Sequence, residues 1–113
     1  MSKLDEKIAL YKETAKKLKL KLSNELIEAV TRGLGPSIYN RDSETVACSD
    51  KSELERLREN FLKKKLGLNQ PDDVLDRAIE EVCQELKGLN RKYRALFYAL
   101  LVKKFKKEDV YLK

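Results

Sequence analysis

At 113 residues the chain has room for one hydrophobic core and not for two. Its apolar share of 42% is ordinary, while 39% charged residues exceed the usual quarter, a balance that suits thin helices burying one stripe each. With no histidine and two cysteines, a zinc site and the Ser-His and Cys-His nucleophile systems are excluded, so the expectation is no enzyme, no catalytic residue, no metal and no cofactor.

The longest uncharged apolar stretch, Ala95 to Val102, falls far short of the roughly 20 residues that span a bilayer, so no membrane partner is expected. The opening Met-Ser-Lys-Leu-Asp-Glu lacks an apolar region of the kind secretion needs, which favours a cytoplasmic location. There Cys48 and Cys83 are expected as thiols, Cys83 inert on a core stripe and Cys48 the more exposed and reactive of the two.

In chain order, Leu4, Ile8, Tyr11, Ala15, Leu18 and Leu22 form one helical stripe behind a Ser2–Asp5 cap. Ser23 caps a second helix carrying Leu26, Ile27, Val30 and Leu34, stopped by Gly33 or Gly35 and then Pro36. Periodicity fails from 36 to 49. Asp50 with Glu53 restarts a helix bearing Leu54, Leu57, Phe61 and Leu62, closed at Gly67. Pro71 opens a fourth helix with Val74, Leu75, Ala78, Ile79, Val82, Cys83 and Leu86 on its core face. Asn90 caps the fifth, whose apolar surround from 95 to 102 marks a central helix. The fold class is therefore all-α: a single compact five-helix bundle over 1–113, with helices at about 3–21, 24–33, 51–66, 71–87 and 91–105, and a long ordered loop between the second and third.

That loop is the best functional address, because loops of such length between helices are uncommon and often functional. The candidate contact surface for a ligand or partner is Gly35, Pro36, Ser37, Tyr39, Asn40 and Asp42. The competing expectation is an Ω-like plug packed by Ile38, Tyr39 and Val46. Asn40, Asp42 and Glu44 alternate like half a calcium loop, yet Thr45 and Lys51 stand where its glycine and bidentate glutamate belong, which rejects the motif. An enzyme using Asp42 or Cys48 would need a deep pocket beside this loop.

Formal charge is +4 over residues 1–23, −5 over 24–86 and +7 over 87–113. Arg91, Lys92 and Arg94 at one end of the fifth helix, and Lys103, Lys104, Lys106 and Lys107 at the other, are candidate polyanion-binding residues. The two clusters sit about 20 Å apart along a helix rising 1.5 Å per residue, so one surface forms only if Lys12, Lys16 and Lys19 join them. The alternative is that the basic ends pair with the acids of the fourth helix.

The run Gly33-Leu-Gly-Pro-Ser-Ile-Tyr-Asn40, Ser52-Glu-Leu-Glu through Asn60-Phe-Leu, Lys64-Lys-Leu-Gly-Leu68, Lys92-Tyr-Arg-Ala through Leu101 and Glu108-Asp-Val-Tyr111 resembles a family of small bacterial proteins catalogued only as a domain of unknown function. The resemblance covers nearly the whole chain and implies a compact helical domain in the bacterial cytoplasm. It implies no activity, cofactor or catalytic residue. The leading expectation is a non-enzymatic interaction module that uses the 36–49 loop to meet a protein, self-association included. The alternative is a nucleic-acid-binding protein working through the basic clusters of the fifth helix.

Overall fold

The computed structural model describes residues 2–112. Helices α1 (Lys3–Lys17), α2 (Asn24–Leu34), α3 (Arg41–Glu44), α4 (Lys51–Arg56), α5 (Asp72–Glu85) and α6 (Arg94–Lys104) account for most of them, and no strand occurs among the described residues. Six α-helices thus stand where five were expected. The extra one is α3, which with a 3-10 turn at Gly35–Tyr39 fills much of the segment read as a loop.

The caps at Ser2, Ser23 and Asp50 form as the sequence indicates, each side-chain oxygen accepting from backbone N–H groups of the first turn. The cap at Asn90 does not. Val46 N–H donates to the Lys92 carbonyl at 2.9 Å, and Thr45 pairs with Tyr93 in an isolated antiparallel bridge, so residues 91–93 stay outside the helix and α6 starts at Arg94. Pro71 likewise sits just outside α5 as its cap.

Beyond Arg56, α4 widens into a π-helix over Leu57–Lys65. Its buried residues are Leu57, Phe61 and Leu62, followed by Leu66, all on one side of the segment. Gaps of four and five match a wide turn of about 4.4 residues and drift off the face of a 3.6-residue helix, which gives the sequence reason for the π geometry. The segment closes at Gly67, whose φ of 68° is open to glycine at little cost.

Helix α6 is the buried axis. Ala95, Leu96, Phe97, Ala99, Leu100, Leu101 and Val102 are all buried, as the apolar surround predicts, with α1, α2, α3 and α5 packed around them. A smaller cluster of Tyr11, Ala15, Ile27, Ile38, Ala95 and Leu96 ties α1 and the 3-10 turn to this axis.

Cys48 and Cys83 are joined by a disulfide with Cα atoms 6.0 Å apart. This corrects the expectation of two thiols: a spacing of 35 residues hides the pairing, and folding brings the end of the 36–49 segment onto α5. Neither cysteine is then a free nucleophile.

Helices α1 and α6 end alike. Leu20 N–H donates to the Ala15 carbonyl and Lys107 N–H to the Val102 carbonyl, each at 2.9 Å, leaving Lys19 and Lys106 in the left-handed region at φ 56°. These are Schellman closures with lysine where glycine is usual, a substitution costing about 1–2 kcal/mol in backbone strain.

Candidate functional site

The 36–49 segment is largely a plug. Ile38 and Val46 are buried, while Tyr39 is 48% exposed and contributes nothing to the packing expected of it. What fixes the segment is a pair of charged residues turned inward. Glu44 is 2% exposed. Its carboxylate accepts from Tyr11 Oη at 2.6 Å, Lys7 Nζ at 2.8 Å and Arg91 Nη2 at 2.8 Å. Burial opposes the charge, but these three donors outweigh it and hold the Glu44 carboxyl below its ordinary range. Burial and the same carboxylate push the Tyr11 phenol well above its own.

Arg94 is the second anchor. Nε donates to the Ser43 carbonyl at 2.7 Å, Nη1 to Tyr98 Oη at 3.0 Å, and Nη2 to the Thr45 carbonyl at 3.0 Å and to Glu53 Oε1. Burial alone would lower its pKa, but Tyr98 and Glu53 keep it above the ordinary value. Tyr98 in turn stacks on Phe61, ring centroids 3.8 Å apart, so the π-helix backs the same cluster.

Outside these anchors lies a polar cleft of about 390 Å3, walled by Asn40, Asp42 and Ser43 on one side and by Glu53, Arg56, Leu57 and Asn60 on the other. Arg94 and Tyr98 complete its lining. The floor is committed: Arg94 and Glu53 neutralise each other. The rim is not. Arg56, Asn60 and Asp42 are exposed, and among the described residues their side chains have no ion-pair or hydrogen-bond partner. The Asn40 side-chain oxygen accepts from Asp42 N–H at 2.9 Å, which starts α3.

Of the expected contact surface, Asn40 and Asp42 therefore reach the cleft. Ser37 donates to the Leu34 carbonyl at 2.8 Å, a local turn contact, and Gly35 and Pro36 belong to that turn. Arg56 and Asn60 join Asn40 and Asp42 from the facing helix, marked in the sequence only by a spacing of four that places them together on one side.

The seven basic candidates separate. Arg91 is held by Glu44, Arg94 by Glu53 and two carbonyls, and Lys104 by Glu81 at 3.2 Å and Glu85 at 3.9 Å. Lys92 donates to the Leu89 carbonyl at 3.4 Å, and Lys103 to that of Lys21. Lys106 and Lys107 follow past the end of α6. Arg91 and Arg94 at the start of α6 are thus engaged in holding the 36–49 segment, while Lys92 turns to the Leu89 carbonyl. The acids of α5 are answered from both sides: Arg58 grips Asp76 through both carboxylate oxygens at 3.0 Å and Lys63 bridges Asp72 at 2.7 Å from the preceding helix, while Lys104 of α6 takes Glu81 and Glu85.

A family model described as a protein of unknown function, DUF2853, matches residues 10–109. The chain belongs to the DUF2853 family. The match runs from α1 past the end of α6, so every residue of the cleft lies within the DUF2853 domain. No curated protein matches the chain. Among the described residues, no helix is long and apolar enough to cross a membrane.

Proposed function

We propose that the domain is a non-enzymatic binding module that receives a polar or charged segment of a partner protein in the cleft between Asn40–Ser43 and Arg56–Asn60. The observation that carries this reading is the contrast between floor and rim: a rigid, internally neutralised base beneath exposed side chains that lack partners. A preorganised surface of this kind loses little conformational freedom on binding. Tyr39, exposed beside the rim, supplies the aromatic contact that interfaces favour. The cleft suits binding better than catalysis, because Glu53 is tied to Arg94 and Asp42 stands in solvent.

The test is a photo-crosslinking amino acid placed at Tyr39 and, separately, at Val74, an exposed residue of α5 outside the cleft. In lysate of the native host, the Tyr39 probe should give one adduct of discrete mass that disappears with Arg56→Glu. An adduct of two copies of the chain would make the partner a second molecule of the same protein. Identical adducts from both positions, or none from Tyr39, would refute the reading.

A further inference from the structure

The C-terminal ends of α1 and α6 lie side by side and gather four lysines around a single acid, Glu85, which is taken up by Lys104. Leu18, Leu20 and Leu100 floor a groove of about 490 Å3 between them, rimmed by Lys19, Lys21, Lys103 and Lys104. Leu20 also walls a neighbouring groove of about 590 Å3 lined by Lys12, Lys16 and Glu13, the last paired with Lys17 at 3.8 Å, so Lys16 extends the basic surface up α1. Lys104 is held by Glu81 and Glu85, and Lys12 lies 3.7 Å from Glu28. Lys16, Lys19, Lys21 and Lys103 are exposed and have no carboxylate within ion-pair distance among the described residues.

The backbone supplies an independent observation. Lys19 and Lys106, at the two neighbouring helix ends, occupy left-handed positions that glycine would fill without strain. Lysine near a helix C-terminus does complement the dipole, but that negative end amounts to about half a charge per helix, which the local lysines exceed. The excess positive charge is therefore directed outward.

We propose that this surface binds the phosphate backbone of double-stranded nucleic acid without reading its sequence. Lysine is a point charge on a flexible stem, suited to phosphates, and lacks the planar fork with which arginine reads base edges. Neither groove is lined by an arginine or an aromatic residue. Leu100 is buried, and Leu18 and Leu20 are partly buried against the core, so none of the three projects as lipid insertion requires. The surface is separate from the cleft and stands or falls without it.

Anisotropy of a fluorescein-labelled 24-base-pair duplex, titrated with full-length protein from 50 to 200 mM salt, tests this. Four phosphate contacts predict a log–log slope of about −3.6, at roughly 0.9 per contact. The triple variant Lys16→Glu/Lys21→Glu/Lys103→Glu should bind at least about tenfold more weakly at 100 mM salt. Lys51→Glu/Lys64→Glu/Lys87→Glu, with the same change in net charge, should stay within about twofold of wild type. Lys19→Gly/Lys106→Gly separates binding from folding: it should raise Tm while weakening binding and flattening the slope. Equal losses in the two triple variants, no binding at 50 mM salt, or a fall in Tm in the glycine variant would overturn the proposal. Tighter binding to vesicles containing 30% phosphatidylserine, or to poly-glutamate of equal charge, would overturn it in favour of a membrane or an acidic protein.

Discussion

Glu44 shows how a single side chain decides whether an irregular segment is a plug or a mobile loop. Its carboxylate gathers donors from α1 and from the start of α6, distant in sequence. Removing the charge leaves the buried Tyr11 hydroxyl and two cations poorly matched. Because Lys7 and Arg91 are partly exposed, the cost of Glu44→Gln falls at about 2–4 kcal/mol rather than above it. Urea unfolding at pH 7 reads this as a lower midpoint. The pH dependence has a definite sign. The folded carboxyl titrates below its unfolded value, so its contribution is complete above about pH 4.5 and is lost as pH falls through the depressed folded value. Wild-type protein should lose stability on that acid limb, and Glu44→Gln should flatten it. At Lys19 the effect is reversed: Lys19→Gly relieves a left-handed residue and should stabilise by about 1 kcal/mol.

At the scale of elements, the segment 36–49 behaves as a structural unit held at several points. Ile38 inserts beside Tyr11, Ile27 and Leu96, and the Cys48–Cys83 disulfide fastens the far end to α5. Ile38→Ala should cost about 2–4 kcal/mol in thermal or urea unfolding, the scale of a buried truncation next to a partly adjustable turn. Reduction, or Cys48→Ser, should cost about 2–4 kcal/mol by freeing a 35-residue loop in the unfolded chain. Non-reducing mass spectrometry, read before and after dithiothreitol, verifies the bond itself. The regular helices were legible because their apolar periodicity and caps are local signals, and the central burial of α6 followed from its apolar surround. The π-helix was not, since Leu54, Leu57, Phe61 and Leu62 also fit an α-helical stripe until Leu66 is added to the count. Nor was α3, too short to show a period. The late start of α6 depends on Thr45 and Val46 pairing with residues nearly fifty positions away.

Across the whole molecule, charge is sorted by folding in a way that composition conceals. The arginines at the start of α6 looked like the core of a polyanion site, yet they are turned inward to hold Glu44, Glu53 and the carbonyls of 43 and 45. Lys19 and Lys21 just past α1 instead meet Lys103 and Lys104 at the end of α6, a proximity that sequence spacing alone left undecided. The site was half legible for the same reason. Asn40 and Asp42 lie in the segment that failed every periodic pattern, while Arg56 and Asn60 looked like ordinary helix surface until α3 was placed opposite them.

Residues 36–49 form a fixed wall, held by Glu44 and Arg94, on which the cleft is built. Native-state hydrogen exchange of the Glu44 and Val46 amides measures this most directly, since they donate to the Asn40 and Lys92 carbonyls at 2.8 and 2.9 Å. In wild-type protein both should exchange at least about a hundredfold more slowly than an unstructured chain, and Arg94→Gln should remove most of that protection while α5 keeps its own. Exchange of both amides at the unstructured rate in wild-type protein would mean that the wall of the cleft is a mobile loop and not a fixed one.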